Sequence, residues 1–431
     1  MCLTPASLSL TPAAGYSVAF GTVSVGTTKR QIYNVSSEGQ QSSSAITISV
    51  TGSDFSRVTP VAGDCVDGMV LVSGAQCAVH IDFTPASAAD IKGSLMVSAN
   101  VGGTMALELT GTGKQLSGVV TEFDVPQIVM SSGDPQSMLL TKIISGSDGN
   151  LWFLENTGSR IVRATTSGVM TSFTIPNTNL QINDIATGPD GNIWYTNGSA
   201  HSIGRLTTQG GIKEFPAGQH GQFLLQPGSI RQGGDGNMWF FTNDYSIARI
   251  TIAGVVTGDF VTMVSPAGLL RMGPDMALWF SFPAHNSMAK IDVSGTIVEM
   301  TGISNPNYWT AGPDGNLWAT FGSPAAVGRI PVSGSPVTKF MLTTAGAVPS
   351  DITAGPDGNL WFIETIFGSD GHFPTRSSLI GRITPSGSVT EFPIPNSRNI
   401  PNNIVSGADG NLWFTENTDN STVGKLARIT P

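Results

Sequence analysis

From Leu3 to about Gly113, apolar and polar positions alternate in short runs, as in Ser17-Val18-Ala19-Phe20, Ala45-Ile46-Thr47-Ile48-Ser49-Val50 and Ala78-Val79-His80-Ile81-Asp82-Phe83. A period of two marks strands with one buried face, and Gly, Pro and Ser break the runs at the spacing of an antiparallel β-sandwich. His80 falls on one of these alternating strands and reads as a packed or surface residue. A short polar linker, Lys114 to Gly118, ends the region. The expected domains are residues 1–114 and 115–431.

Beyond the linker the pattern repeats. Tryptophan recurs at Trp152, Trp194, Trp239, Trp279, Trp318, Trp361 and Trp413, with spacings of 42, 45, 40, 39, 43 and 52 residues. Each copy carries strand patterns only, so a period near forty predicts a seven-bladed β-propeller and not a helical array. Around Trp361, the runs Ser350–Ala354, Leu360–Glu364, Leu379–Ile383 and Val389–Phe392 read as strands one to four from the centre outward. Asp357-Gly358-Asn359 supplies the tight turn between the first two, where Asn and Gly tolerate positive φ. A cation follows on strand three of each copy: Arg163, Arg205, Arg249, Lys290, Arg329, Arg382 and Lys425. Residues shared by nearly every blade answer to a structural need: the tryptophans to pack between blades, the turn aspartates to cap backbone amides. The last copy ends at Leu426–Thr430 without a fourth strand, while the region opens on an unpaired one, Val120–Pro126. Pairing this N-terminal strand with the last blade closes the ring and removes exposed sheet edges.

Composition narrows the partners. Charged residues are 12% of 431 residues, against about a quarter in ordinary globular chains, and glycine reaches 52, which suits an extracytoplasmic all-β protein rich in turns. A net charge of −9 opposes a nucleic-acid or anionic-membrane partner. No run of eighteen apolar residues spans a bilayer. Met1 leads straight into Cys2-Leu3-Thr4, so the expectation is that a leader has been removed, with Cys2 a candidate for lipidation. Cys65 and Cys77, twelve positions apart, either close a hairpin-sized loop worth about 3 kcal/mol or remain two buried thiols. The expected state is a monomer.

Two resemblances add to this reading. The stretch AFGTVSVGTT, the turn GSDF, then SGAQCAVHIDFTP, GSLMVSAN and LELTGTG resemble the immunoglobulin-like choice-of-anchor D and hydin-type domains of bacterial surface proteins, over about 113 residues. That resemblance implies a spacer or adhesion module without catalytic residues. The repeat GPDGNLWFTE…IGRITPSGSVTEFPIP resembles that of the virginiamycin B lyase (streptogramin lyase) family of seven-bladed propellers, over about residues 119–431. In the family, the resemblance implies a magnesium-assisted elimination that opens a cyclic depsipeptide. Its base is a histidine in a Pro-His pair opening the final repeat; a second Pro-His stands one repeat earlier, and glutamates help to hold the metal. Here the final repeat opens Ile400-Pro401-Asn402-Asn403 and the preceding one Val348-Pro349-Ser350-Asp351, so Asn402 and Ser350 stand at the histidine positions. Neither an amide nor an unactivated hydroxyl abstracts a proton near neutral pH. The family glutamates are matched by Ile400 and Asn417, with Glu416 one residue early.

Candidate chemistry then concentrates where strand one begins. At that level stand Glu155, Asn197, Thr242, Phe282, Phe321, Glu364 and Glu416, which puts three carboxylates on blades one, six and seven, consecutive in a closed ring. Such an acidic arc suits Mg or Ca, with Asp351, Asn402 and Asn403 as further ligands; the alternative is that each glutamate pairs with a neighbouring cation or is solvated. The long spacing into the last repeat marks an insertion, Thr365–Arg376, whose His372 is the histidine placed to replace a missing base. Tyr308 and Trp309 offer aromatic surface for a sugar or another ligand, or bury themselves. His201, His220 and His285 make no metal-ligand spacing. The first expectation is a non-catalytic binding protein taking a small molecule, glycan or peptide at the propeller mouth. The alternatives are a Mg-dependent streptogramin B-type lyase that uses Glu416 or His372, and a structural display module.

Overall fold

The computed structural model describes residues 3–13, 17–25, 27–87, 89–114, 117–126, 139–155, 159–176, 182–220, 222–261, 267–282, 285–303, 306–366, 377–418 and 423–431. His372 and Cys2 lie outside them. The chain divides into two compact units, Met1–Ser117 and Gly118–Pro431. Among the described residues there is no α-helix, and none is therefore long and apolar enough to cross a membrane.

The first unit contains two four-stranded sheets. One runs Ser7–Pro12, Lys29–Glu38, Gln76–Phe83, Phe55–Arg57 in spatial order; the other runs Ala19–Ser24, Gly103–Lys114, Asp90–Ala99, Thr47–Thr51. Alternate residues of both, among them Tyr33, Val35, Ile81, Leu95, Val97 and Leu109, share one apolar core, as the period of two requires. Cys65 and Cys77 are joined in a disulfide inside that core, so the disulfide and not the thiol alternative holds. His80 sits 3.3 Å from Asp64 on the partly exposed face of its strand.

Among the described residues the second unit contains one short two-stranded ribbon, Gln219–His220 with Phe223–Leu224, and seven antiparallel four-stranded sheets, an arrangement that fits a β-propeller. Their first strands are Leu140–Ser145, Ile182–Thr187, Pro227–Gln232, Ala267–Met272, Pro306–Ala311, Ala347–Ala354 and Ile400–Ser406. Each neighbours the next, and the last neighbours the first, so they line a closed ring. In the seventh sheet the outer strand is Val120–Asp124, antiparallel to Gly424–Ile429 with Leu426 opposite Phe123. The sheet is thus completed from the other end of the unit, and no edge is left at the join.

One device holds every sheet. The repeated tryptophan is fully buried, and its indole N–H donates to the turn aspartate two residues before the Asn or equivalent position, as from Trp361 Nε1 to Asp357 Oδ1 at 3.0 Å. The same carboxylate accepts the amide of Asn359 at 3.2 Å, which closes the turn that Gly358 enters at φ 75°. Six of the tryptophans stack on a strand-four phenylalanine with centroids 5.2–5.7 Å apart, and the seventh sheet draws its ring, Phe123, from the closing strand. A strand-three cation lies over six of the tryptophan rings, and over Trp279, which has no strand-four phenylalanine, Lys290 stands 5.3 Å from the centroid. In the seventh sheet that cation is Arg428, opposite Trp413, and not Lys425, which lies opposite Glu416. The third strand there comes later than the repeat spacing suggests, since Arg428 follows its tryptophan by 15 residues, against 10 or 11 in the first five sheets.

Candidate functional site

Every first strand carries an irregularity in its pairing near its start. A bulge of this kind re-aims side chains, because the extra residue breaks strict alternation. Beyond the bulge, Ile143, Ile185, Ile230, Leu270, Trp309, Ile352 and Ile404 share one register and turn into the apolar layers of the sheets. Trp309 therefore occupies a core position. It is fully buried with Trp279, Ile303 and Phe321 around it, so the exposed aromatic expected from its place in the chain is corrected to a packing residue.

The residues on either side of that register face the ring's axis and bring charges together. A cavity of about 270 Å³ is lined from six of the seven first strands, including Lys142, Asp184, Arg231, Arg271, Asp351 and Asn403. Arg231 Nη1 donates to Asp184 Oδ2 at 2.8 Å, and Asp184 also accepts from Ser229 Oγ at 2.8 Å and the Ile230 amide at 3.1 Å. Burial opposes ionisation of Asp184, but Arg231, Lys142 and these donors outweigh it and hold its pKa below the usual carboxylate range. Arg271 Nη2 reaches Asp351 Oδ1 at 2.7 Å, spanning from the fourth sheet to the sixth across the axis. Asp351 Oδ2 accepts from Asn403 Nδ2 at 2.9 Å and from the Ile404 amide at 3.0 Å. Tyr308 faces the same charges; its hydroxyl titrates above the ordinary range, chiefly through burial and then through Asp351. Burial pushes the Lys142 ammonium the other way, below its ordinary pKa, with Asp184 and Asp351 opposing and the two arginines adding to the fall.

Asp351, Asn403 and Tyr308, singled out from the sequence, thus belong to one assembly. Lys142, Asp184, Arg231 and Arg271 were missed. Their signal was the position flanking the repeated isoleucine of strand one, where charged residues are unexpected in a buried strand.

Asn402 is elsewhere. Its amide donates to Leu140 O of the next sheet at 2.7 Å. Asn183 and Asn307, at the same bulge position of the second and fifth sheets, donate likewise to Pro227 O and Pro349 O, at 2.9 and 3.4 Å. Asn402 is therefore a tie between neighbouring sheets, repeated around the ring.

The three glutamates occupy separate environments. The WFxE glutamate shares its strand face with the phenylalanine, and that face packs against the preceding sheet, away from the axis. Glu364 is fully buried beside Glu391. Glu416 is fully buried, accepts from Asn399 Nδ2 at 2.9 Å, and is pushed up to about 7 mainly by burial. Glu155 meets Arg160 at 3.3 Å. Among the described residues no group of three or more His, Cys, Asp and Glu is placed to hold a metal ion. The donor set does not fit Mg or Ca in a further respect: burial, with the Glu391 carboxylate beside it, pushes Glu364 up to about 8, so it is a neutral acid near pH 7. His201 Nδ1 lies 3.3 Å from Leu225 O and His285 Nδ1 3.1 Å from Glu299, each a local contact. A second concavity, of about 480 Å³, lies beside His201 with Leu224, Gln226 and Asp244 on its wall.

Against known proteins, the virginiamycin B lyase family model matches residues 113–264 and 246–430. No curated relative matches the chain. A catalytically inactive histidine-to-alanine variant of virginiamycin B lyase from Staphylococcus aureus, solved with quinupristin, is 27% identical with a TM-score of 0.59, covering 72% of this chain and 99% of that one. The extracellular domain of a hybrid two-component system from B. thetaiotaomicron is similar at 11% identity and TM-score 0.53, covering 77% of this chain and 44% of that one. YCF48 from Cyanidioschyzon merolae is similar at 10% identity and TM-score 0.54, covering 72% and 99%. The last two likenesses speak for the fold alone. The matched stretches take in the whole repeat region, and by them the chain belongs to the virginiamycin B lyase family.

Proposed function

We propose that this chain is a non-catalytic, extracytoplasmic member of its family that binds a small molecule in the channel of a seven-bladed propeller, with an immunoglobulin-like unit as spacer. The observation that carries this reading is the use made of Asn402. At the position of the family's basic histidine, an amide is committed to Leu140 O in the same tie that Asn183 makes in an unrelated sheet. A residue doing a repeated structural job is not poised over a substrate, and an amide has no basic lone pair to offer. Glu416, the acid nearest the family's glutamate position, lies between sheets against Asn399. What the propeller does assemble is asymmetric: five charged side chains around one cavity, drawn from five different sheets. Concave sites with a few convergent polar groups are where small ligands bind. The disulfide supports an oxidising compartment outside the cytosol.

The test is chromatography of a type B streptogramin incubated with protein and magnesium, since elimination opens the ring without changing its mass. The expected result is unchanged retention and fragmentation beside an active family enzyme. A linear isomer formed by this protein and lost in Glu416→Gln would overturn the proposal.

A further inference from the structure

The channel cavity contains three cationic side chains, Lys142, Arg231 and Arg271, and two anionic ones, Asp184 and Asp351. The two carboxylates are each taken by one arginine, at 2.8 and 2.7 Å, and their remaining lone pairs are filled by Ser229, the Ile230 amide, Asn403 and the Ile404 amide. Lys142 is left over: its ammonium makes no hydrogen bond or ion pair among the described residues. One uncompensated positive charge therefore faces the cavity, half-buried beside two arginines already committed to carboxylates. A bound anion would compensate it at short range, in a space where water screens less than in bulk. A second cavity, of about 390 Å³, adjoins the first through the shared Ile144 and Arg231. Its remaining wall is Ala186, Thr187, Gln232 and Met272, mostly apolar surface with no charge of its own.

Resting on the reading that the channel is a binding site, we propose that its ligand is a small organic anion bearing a single negative charge. The head group, a carboxylate or sulfate, pairs with Lys142, beside the Arg271 and Arg231 guanidiniums; a short apolar body extends past Ile144 toward Met272. One charge matches the excess of one in the cavity, whereas a cation would face three positive side chains and a neutral molecule would leave Lys142 unmatched. The binding of the anion also reverses the effect of burial on Lys142, because a negative charge beside an ammonium favours its protonated form.

The experiment is isothermal titration of the full chain with hexanoate, hexyl sulfate, hexylamine and hexanol, in parallel on the Lys142→Met and Met272→Glu variants. Hexanoate or hexyl sulfate, or both, should bind, and whichever is tighter names the head group; hexylamine and hexanol should bind at least tenfold more weakly. Lys142→Met keeps the length of the side chain and removes a half-buried unpaired charge, so it should fold at least as stably as the parent while losing tenfold or more in affinity for the anions. Met272→Glu should weaken them similarly through the tail. If hexylamine or hexanol binds as well as the anions, the channel is a binding site of the wrong charge preference, and this inference falls while the proposed function stands. If the anions bind unchanged in both variants, or produce no heat, the channel assignment falls. Streptogramin turnover tests the underlying reading separately.

Discussion

Substitution of Glu364 by Gln is expected to stabilise the protein, and by an amount that depends on pH. The side chain is fully buried, and the Glu391 carboxylate lies beside it, accepting from Thr344 Oγ1 at 2.7 and 2.8 Å. Burial first, and the Glu391 charge second, push its pKa from 4.5 to about 8. The folded state thus holds a proton that the unfolded state releases near pH 4.5. Between those two values unfolding sheds a proton, so stability is fully present below about 4.5 and falls as pH rises toward 8. At about 1.4 kcal/mol per pH unit, the loss accumulated by pH 8 is on the order of 4 kcal/mol. Gln keeps the shape and never ionises. At pH 5 the variant should match the parent within about 1 kcal/mol; at pH 8 it should melt higher by roughly 5 °C, given the unfolding entropy of a chain this size. Comparing the two proteins at each pH cancels the parallel contribution of Glu416, which is raised in the same direction. Calorimetry from pH 5 to 8.5 reads the difference. A constant offset between parent and variant, or a parent that gains on the variant as pH rises, would refute a neutral Glu364.

Three further outcomes follow from the fold. Deleting residues 119–126 removes the strand that completes the seventh sheet and the Phe123 ring stacked 5.5 Å from Trp413, and should lower the melting temperature sharply; Phe123→Ala should cost about 2 kcal/mol by the same assay. Asp357→Ala strips the acceptor from Trp361 Nε1 and from the Asn359 amide and should cost about 2 kcal/mol in urea unfolding, with a smaller loss for Asn359→Ala. Cys65→Ser opens the disulfide loop and should destabilise the first unit by about 3 kcal/mol, while the tryptophan fluorescence transition, which reports only on the second unit because all eight tryptophans lie there, stays where it was.

Much of the architecture was legible because the repeat writes it seven times. Tryptophan and its turn aspartate meet in every sheet, and Asp-Gly-Asn and the stacked phenylalanine recur in six, so their spacing predicts the strands, and the orphan TEFDVP run predicts the closure. The functional side chains were harder to read for the opposite reason. Lys142, Asp184, Arg231, Arg271 and Asp351 come from five sheets, with neither the aspartate nor the arginine repeated in more than two of them, and the bulge near the start of each first strand shifts the alternation that would otherwise tell which residues face the axis. Trp309 was misplaced by the same shift: it looks like an addition to the repeat, yet its register is that of Ile352, and a tryptophan there fills core volume that isoleucine fills elsewhere. Glu155, Glu364 and Glu416 were placed at the right level but on the wrong side, since level is set by register and side by parity along strand two.

The separation between repeated and unrepeated residues also orders the chemistry. A residue that recurs around the ring answers to a contact every sheet must make, and Asn402 joins that class through its bond to Leu140 O, even though it stands where a relative would keep a base. The belt around the axis departs from the repeat, its aspartates and its arginines each occurring in only two sheets, and each of its members lowers the intrinsic stability of a buried strand unless it is matched. Asp184 is matched within the protein by Arg231, Ser229 and the Ile185 and Ile230 amides, and Asp351 by Arg271, Asn403 and the Ile404 amide. Lys142 has no such set of partners, so titration of the channel with anions, and not streptogramin turnover, is the measurement that decides what the unpaired ammonium is for.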